Sequence, residues 1–186
     1  MNDEKPSLLD RLGRNRRLKS EICAQRERLY RLAWSWCHDQ YLADDLVQET
    51  LARGMAKIDN LRDETRLQVW LTRIMANLFR DQFRKQREET GNEIEPVEEE
   101  ETPERAANRS QLVQRTRDAI AALNEDQRQI VTLVDIAGFS YADTAKILDV
   151  PVGTVMSRLS RARGRLRDYL ERSQVIERKV VPLRKQ

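Results

Sequence analysis

The sequence predicts an all-α protein of two small helical domains joined by a flexible acidic linker. Apolar residues recur at the helical period on both sides of residues 88–104. That segment contains nine glutamates and no lysine or arginine, with too few apolar residues to fold alone. Near the C-terminus, residues 140–170 fit two helices separated by a tight turn. The second domain is therefore predicted to be a helix-turn-helix.

The charge of the chain favours a polyanion as partner. The 186 residues carry a formal net charge of +3, and without the nine glutamates of 88–104 the other 169 residues carry +12. Basic proteins bind nucleic acid because neutralised phosphates supply most of the non-specific affinity. Charged residues make up 35% of the chain and no apolar stretch has bilayer length, so we expect a cytoplasmic protein without membrane insertion.

The composition shifts divide the chain into five segments. These are an N-terminal arm (1–20), a first domain (21–87), the linker (88–105), a second domain (106–170) and a basic tail (171–186). The arm is expected to be frayed or a short helix. One helix is predicted from Glu21 to Cys37, with its apolar stripe between Ile22 and Trp36. With one histidine and no clustered cysteines, no metal or other cofactor is predicted.

Residues 41–58 predict a second helix with an acidic outer side. Its outward residues are Asp44, Asp45, Gln48 and Glu49. Three of them, Asp45, Gln48 and Glu49, stand at i, i+3 and i+4 and so form one compact patch. From the residues alone, such a patch is ordinary solvated surface. A polar connection follows at residues 59–66.

The helix predicted at residues 67–87 has an apolar stripe and a basic face. The basic face consists of Arg73, Asn77, Arg80, Asp81, Arg84 and Lys85. An asparagine amide pairs with base edges, so this face is predicted to bind nucleic acid. Phe79 and Phe83 lie near it. Core packing is favoured for them over stacking on unpaired bases.

The second domain is predicted to hold four helices. Asn124 is the expected N-cap of its second helix and Gly138 the expected end, with Val134 and Ala137 pointing inward. Ser140 and Asp143 form a predicted capping box at the start of the third helix. Its inward face is predicted to be Ala142, Ala145 and Leu148.

The predicted turn contains Pro151 and Gly153, with Thr154 as cap of the last helix. The inward stripe of that helix is predicted to be Val155, Leu159, Ala162 and Leu166. Its other faces carry Ser157, Arg158, Ser160, Arg161, Arg163, Arg165 and Arg167. This pattern predicts a recognition helix for the major groove, and the alternative is a solvated basic face.

Three motifs in order resemble the extracytoplasmic-function, or group IV, sigma factors of bacterial RNA polymerase, in the sigma-70 family. They are ADDLVQETL at 43–51, WLTRIMANLFRDQFRK at 70–85 and VPVGTVMSRLSRAR at 150–163, and the resemblance covers about residues 24–170. It implies a protein that is not an enzyme. Such a protein binds core polymerase, recognises the −35 and −10 promoter elements and promotes strand opening. It also implies control by an anti-sigma factor.

The resemblance further implies three sets of site residues. The clamp helices of the largest polymerase subunit would contact Asp44, Asp45, Leu46, Gln48 and Glu49. The −10 DNA would contact Asn60, Leu61, Arg73, Asn77, Arg80, Asp81, Arg84 and Lys85, with residues 60–66 taking up a flipped-out base. The −35 DNA would contact Thr154, Ser157, Arg158, Arg161, Arg163 and Arg165. Ser157, Arg158 and Arg161 are expected to read bases, and Arg163, Arg165 and Arg167 to contact phosphates.

A stand-alone helix-turn-helix regulator is the alternative function. It predicts tight operator binding without polymerase, and it gives the acidic patch and the helix bearing Asn77 no purpose. An enzyme is disfavoured because the chain has no phosphate-cradling glycine loop and no constellation suited to catalysis.

Overall fold

The computed structural model describes residues 8–90 and 111–179. Within them the chain forms eight α-helices and no strand, which confirms the all-α prediction. The first compact unit contains α1 (Leu8–Ala24), α2 (Arg26–Cys37), α3 (Gln40–Ala56) and α4 (Leu67–Thr90). The second contains α5 (Gln111–Ala121), α6 (Glu125–Val131), the first part of α7 (Tyr141–Leu148) and α8 (Val152–Lys179). Most of the predicted linker, from residue 91 onward, lies outside the described residues.

The core of the first unit is built around two aromatic rings. Trp36 of α2 and Phe79 of α4 are fully buried, with ring centroids 5.5 Å apart and planes tilted by 57°. Leu18, Leu46 and Leu71 are also fully buried, so α1, α3 and α4 all contribute to this core. Phe79 is therefore a core residue, as the favoured interpretation held, and its ring does not reach a nucleic acid.

Helices α3 and α4 approach each other closely at Gly54. A Cβ atom at this position would lie 2.7 Å from Cδ2 of Leu71, well inside van der Waals contact. Leu71 is fully buried, so it has little room to move away. A glycine at this position thus lets the two helices pack at short range.

The N-terminal part of the first unit differs from the prediction. Helix α1 runs through the predicted boundary at residue 20 and buries Leu18 completely, so residues 8–20 belong to a helix of 17 residues that continues to Ala24. The helix predicted from Glu21 to Cys37 is two helices. The N–H of Gln25 donates to Ile22 O at 3.1 Å, an i−3 bond that tightens the chain and separates α1 from α2.

Helix α2 ends at a residue with left-handed backbone. His38 has φ 52°, and its N–H donates to Trp34 O at 2.9 Å. Its ring lies edge-on to the Trp34 ring, with centroids 5.4 Å apart. The following residue, Asp39, caps α3 by accepting the N–H of Leu42 at 2.9 Å. His38 thus has a structural position between two helices.

The core of the second unit follows the predicted stripe of α8. Val155, Leu159 and Ala162 are buried, and Leu166 is half-buried. Helix α8 packs mainly on α5 and α6. Asn124 caps α6 as predicted, since its Oδ1 accepts the N–H of Gln127 at 3.0 Å. The helical pattern alone therefore located this core.

A π-helical turn shifts the inward face at the end of α6. The turn spans Thr132–Ile136, and Ala137 N–H donates to Thr132 O at 2.8 Å. The wider turn makes Leu133 fully buried, whereas Val134 and Ala137, predicted to point inward, are only half-buried. Gly138 ends the segment with φ 75°, as predicted.

Helix α7 starts as predicted but buries a different face. Ser140 Oγ accepts the N–H of Asp143 at 3.0 Å and donates to its carboxylate at 2.7 Å, so Ser140 caps the helix as predicted and pairs with Asp143 through its hydroxyl. Ala142 is exposed, however, and Thr144 is fully buried. The predicted inward residues are spaced by three, which is less than one helical turn. Ala142 therefore lies on a different side of α7 from Leu148.

The turn between α7 and α8 is made by a residue that the prediction missed. Asp149 has φ 56°, and Val150 N–H donates to Ala145 O at 3.1 Å. Aspartate is among the few residues that adopt this left-handed conformation readily. Gly153 lies inside α8, which begins at Val152, so Thr154 belongs to the first turn and is not its cap.

Candidate nucleic-acid interface

A stripe of exposed polar side chains runs along α4. Arg73, Asn77, Arg80 and Arg84 are all exposed and stand at i, i+4, i+7 and i+11. At the standard helical rise they span about 16 Å along one side of the helix. The opposite side of α4 is buried in the core of the unit, which holds the stripe on a rigid support.

Two side-chain pairs on this face of α4 make long, exposed contacts. The Oδ1 of Asn77 lies 3.5 Å from Nη1 of Arg80, and Arg84 lies 3.8 Å from the carboxylate of Asp81. Exposed pairs of this kind contribute about 0–1 kcal/mol, so they are easily exchanged for contacts with a ligand. The side chain of Lys85 lies outside the described residues.

The connection between α3 and α4 consists of two short 3₁₀ turns. These are Ile58–Asn60 and Glu64–Arg66. Asn60 is exposed, but Leu61 is only 4% exposed and packs in the core. Leu61, predicted to contact the −10 DNA, therefore anchors the connection and offers no surface to a base.

The second 3₁₀ turn is stabilised by Asp63. Its Oδ1 accepts the N–H of Thr65 at 3.0 Å and the hydroxyl of Thr65 at 2.6 Å. The hydrogen bond from the Thr65 hydroxyl, aided by the positive charge of Arg66, lowers the pKa of Asp63 below its ordinary value. The carboxylate thus stays ionised at neutral pH and preserves the turn.

The acidic patch on α3 lies where the sequence predicts it, with one correction. Asp45, Gln48 and Glu49 are exposed, and Asp44 is half-buried. Leu46 was grouped with them but is fully buried, because the stripe of α3 that contains it faces the core. Leu46 contributes packing to the first unit and no surface to the patch.

Two carboxylates of the patch have basic neighbours. Asp44 accepts a hydrogen bond from Arg26 of α2 at 3.0 Å, and Glu49 accepts one from Arg53 at 2.6 Å. Asp45 carries no ion pair with any residue in 8–90 or 111–179. Its charge is consequently the one most fully presented to a binding partner.

Arginines on α8 are held by polar residues from α6 and the π turn. Arg163 donates twice to the carboxylate of Asp135, at 3.1 and 2.6 Å, and this pairing raises the pKa of Arg163. Arg165 donates to Oε1 of Gln127 at 3.0 Å. These partners were missed by sequence reasoning because they become neighbours only when α6 packs on α8.

The predicted base-reading residues lie nearer the start of α8. Arg158 pairs with Asp126 at 3.1 Å, and its side chain is 30% exposed. Ser157 and Arg161 are exposed. The hydrogen bond of Arg161 stays within α8, from Nε to Ser157 O at 3.3 Å, so its guanidinium is not tied to another helix.

Within residues 8–90 and 111–179, two absences bear on function. Three metal-ligating side chains do not come together anywhere in these ranges. None of the helices there combines the length and the apolar character needed to cross a bilayer.

The two units define a class of protein: a two-domain helical DNA-binding factor that pairs a basic helix face with a helix-turn-helix. The family model for Sigma-70 region 2 matches residues 24–89, and the model for Sigma-70, region 4 matches residues 114–166. ECF RNA polymerase sigma factor EcfG of Rhodopseudomonas palustris is 38% identical over 156 residues, which cover 80% of this chain and 82% of EcfG. The chain belongs to the ECF family of RNA polymerase sigma factors, which bind core polymerase and promoter DNA.

Other relatives agree with this assignment. The ECF RNA polymerase sigma-E factor of Haemophilus influenzae is 34% identical over 151 residues, covering 75% of each chain. The sigma factor RpoE of Bartonella quintana, solved in complex with the anti-sigma factor NepR, has a TM-score of 0.71 and 35% identity. The match covers 83% of this chain and 96% of RpoE. The predicted family and two-domain helical fold are confirmed.

Proposed function

We propose that this sigma factor divides its work between the two units. The first unit binds core polymerase through the α3 patch and opens the −10 element through α4 and the connection before it. The second unit reads the −35 element through the exposed face of α8. The observation that carries this proposal is the α4 stripe, since it places one amide among three arginines on a face that is rigid and exposed.

The proposed mechanism is preferential binding of DNA in which a base has left the stack. Arginines of the α4 stripe attract the nontemplate strand through its phosphates. A base that leaves the stack is then held by the connection between α3 and α4, with Asn60 exposed beside it. Binding the extruded base offsets an unstacking cost of a few kcal/mol and shifts the duplex toward opening. No covalent step is needed, so we infer that the protein is not an enzyme.

The chain is also inferred to act in the cytoplasm under an anti-sigma factor. A relative that is 35% identical forms a complex with an anti-sigma factor, which supports this partner. Core polymerase and promoter DNA are cytoplasmic in bacteria, which supports the location.

Run-off transcription with core polymerase on a pool of genomic fragments tests the whole proposal. We expect transcripts whose upstream regions share one −35 element and one −10 element at constant spacing. The control is core polymerase alone, which yields none of them. Tight binding of the protein to a DNA site without any polymerase-dependent transcript would instead establish the stand-alone regulator.

Reversing the charge of Asp45 is expected to weaken core polymerase binding about tenfold or more. Among the residues that the structure describes, Asp45 is the exposed carboxylate of the patch without an ion pair, so Asp45→Lys puts a repelling charge where we propose that a basic surface docks. The affinity of labelled protein for core polymerase measures the effect at two salt concentrations, since screening reduces it. The control is Glu27→Lys, the same charge change at an exposed site on α2. Equal affinities for both variants would refute the assignment.

Replacing Asn77 is expected to impair strand opening while core binding stays normal. Asn77→Ala removes the amide of the α4 stripe but leaves the buried side of the helix intact. Permanganate reactivity of unpaired thymines at the −10 element should fall about tenfold, the effect of losing one good base contact. Gln68→Ala is the matched control, because Gln68 is an exposed amide of α4 outside the stripe. Wild-type reactivity in Asn77→Ala would count against this role.

A further inference from the structure

Side chains of helix α1 form hydrogen bonds with the connection that precedes α4. Arg14 spans the connection with one guanidinium: Nη2 donates to Leu61 O at 2.6 Å, and Nε donates to Oε1 of Glu64 at 2.8 Å. Leu61 follows the first 3₁₀ turn as its C-cap, and Glu64 begins the second. A single side chain of α1 thus sets the separation of the two turns, 47 and 50 residues away in the chain.

Two neighbouring side chains of α1 support the same attachment. Asn15 Nδ2 donates to Oδ1 of Asp59 at 3.2 Å, and Arg17 donates to the other carboxylate oxygen of Glu64. The hydrogen bond from Arg14, followed by the positive charge of Arg17, lowers the pKa of Glu64 below its ordinary value. The carboxylate is therefore ionised at neutral pH, where both arginines bind it.

Helix α1 is itself firmly placed. Leu18 and Ile22 are fully buried, and α1 packs on α3 and on the first 3₁₀ turn. Arg14 and Glu64 are each only about one-third exposed, which reduces competition from water for their contact. Arg62 and Asp63, which lie between Leu61 and Glu64, are exposed, and the residues on either side of them are held by Arg14. The connection is consequently a pre-shaped surface loop.

We propose that Arg14 is a positioning residue for the −10 base site: by bridging Leu61 and Glu64 it holds the connection in the shape that selects one extruded base. This inference rests on the proposed function, in which the connection receives that base. Pre-shaping matters because a loop already in its bound form does not lose binding energy to ordering. Loss of the bridge lets the connection adopt several shapes, and discrimination between bases falls.

The test compares base preference at the −10 element. Full-length wild type and variants are assayed with core polymerase on a promoter library that has a constant −35 element and randomised −10 positions. Arg14→Ala should reduce the preference for the best base over the second best about three- to tenfold, a usual range for coupled residues. Glu64→Gln, which removes the charge but keeps the shape, should alter the same library positions. Arg16→Ala is the control, an exposed arginine on the same helix.

The possible outcomes distinguish a failure of this inference from a failure of the proposed function. A wild-type protein without any −10 preference would refute the proposed function itself. If the wild type is selective but Arg14→Ala and Glu64→Gln show the same base profile as Arg16→Ala, only the positioning role is overturned. Reduced activity with an unchanged base profile would also overturn it, since general destabilisation lowers all promoters alike. Should Arg14→Ala fail to fold, the profile of Glu64→Gln decides between these results.

Discussion

Replacing Arg161 with alanine is expected to lower discrimination at the −35 element by about 1–3 kcal/mol, or roughly 5- to 150-fold. Arg161 is exposed on α8 one turn after Ser157, and its hydrogen bond stays within its own helix. Arg163 and Arg165, by contrast, are bound to Asp135 and Gln127. The guanidinium of Arg161 is thus the one best placed to form two hydrogen bonds with a guanine.

Footprinting on a series of −35 elements with single-base changes measures this prediction. The control is Arg167→Ala, whose exposed side chain lies farther along α8 and is expected to contact phosphate. That variant should weaken all sequences equally and reduce the salt dependence of binding. A uniform loss for Arg161→Ala as well would show that Arg161 touches only the DNA backbone.

Replacing Trp36 with alanine is expected to cost about 3–5 kcal/mol of unfolding free energy in the first unit, the usual range for a buried large aromatic residue. Trp36 is fully buried and packs against Phe79, which in turn lies 4.3 Å from the ring of Phe83. Its loss leaves a cavity that the surrounding helices cannot close, since protein interiors are tightly packed. The face of α4 proposed to bind the −10 element should lose its support together with this core.

Denaturant unfolding of the full chain, followed by hydrogen exchange in α2 to α4, measures the loss. Trp34→Ala is a matched control, because Trp34 lies two residues earlier on α2 and is half-buried. Its expected cost is smaller, since part of its surface is already in water. Equal losses for the two variants would mean that Trp36 is not central to the core.

Much of this protein could be predicted from local patterns. The stripes from Ile22 to Trp36 and from Val155 to Ala162 are buried as the helical period requires. The capping bonds of Ser140 and Asn124 also form, since each joins residues only three apart. The family motifs belong to the same level, because they are short runs of adjacent residues matched by the region 2 and region 4 models.

Some features escaped those patterns because they depend on how each unit packs. Leu61 was grouped with a binding surface, but the packing of the first unit buries it. Leu46 lies on the inward stripe that the helical pattern predicts, and only the family resemblance grouped it with the polymerase contacts. The π turn at 132–136 changes the inward register by widening one turn, which a constant period does not anticipate.

The helices and their caps form through contacts between residues a few positions apart. The sequence alone therefore determines them. Most of the chain's helices, the caps at Asn124 and Ser140, and its family could be read there. The positions of the side chains proposed to act in DNA binding are fixed by partners far away in the sequence, such as Asp135 for Arg163 and Arg14 for Glu64. Those pairs exist only after apolar burial has brought separate helices together, because exposed charges gain too little from one another to direct the packing.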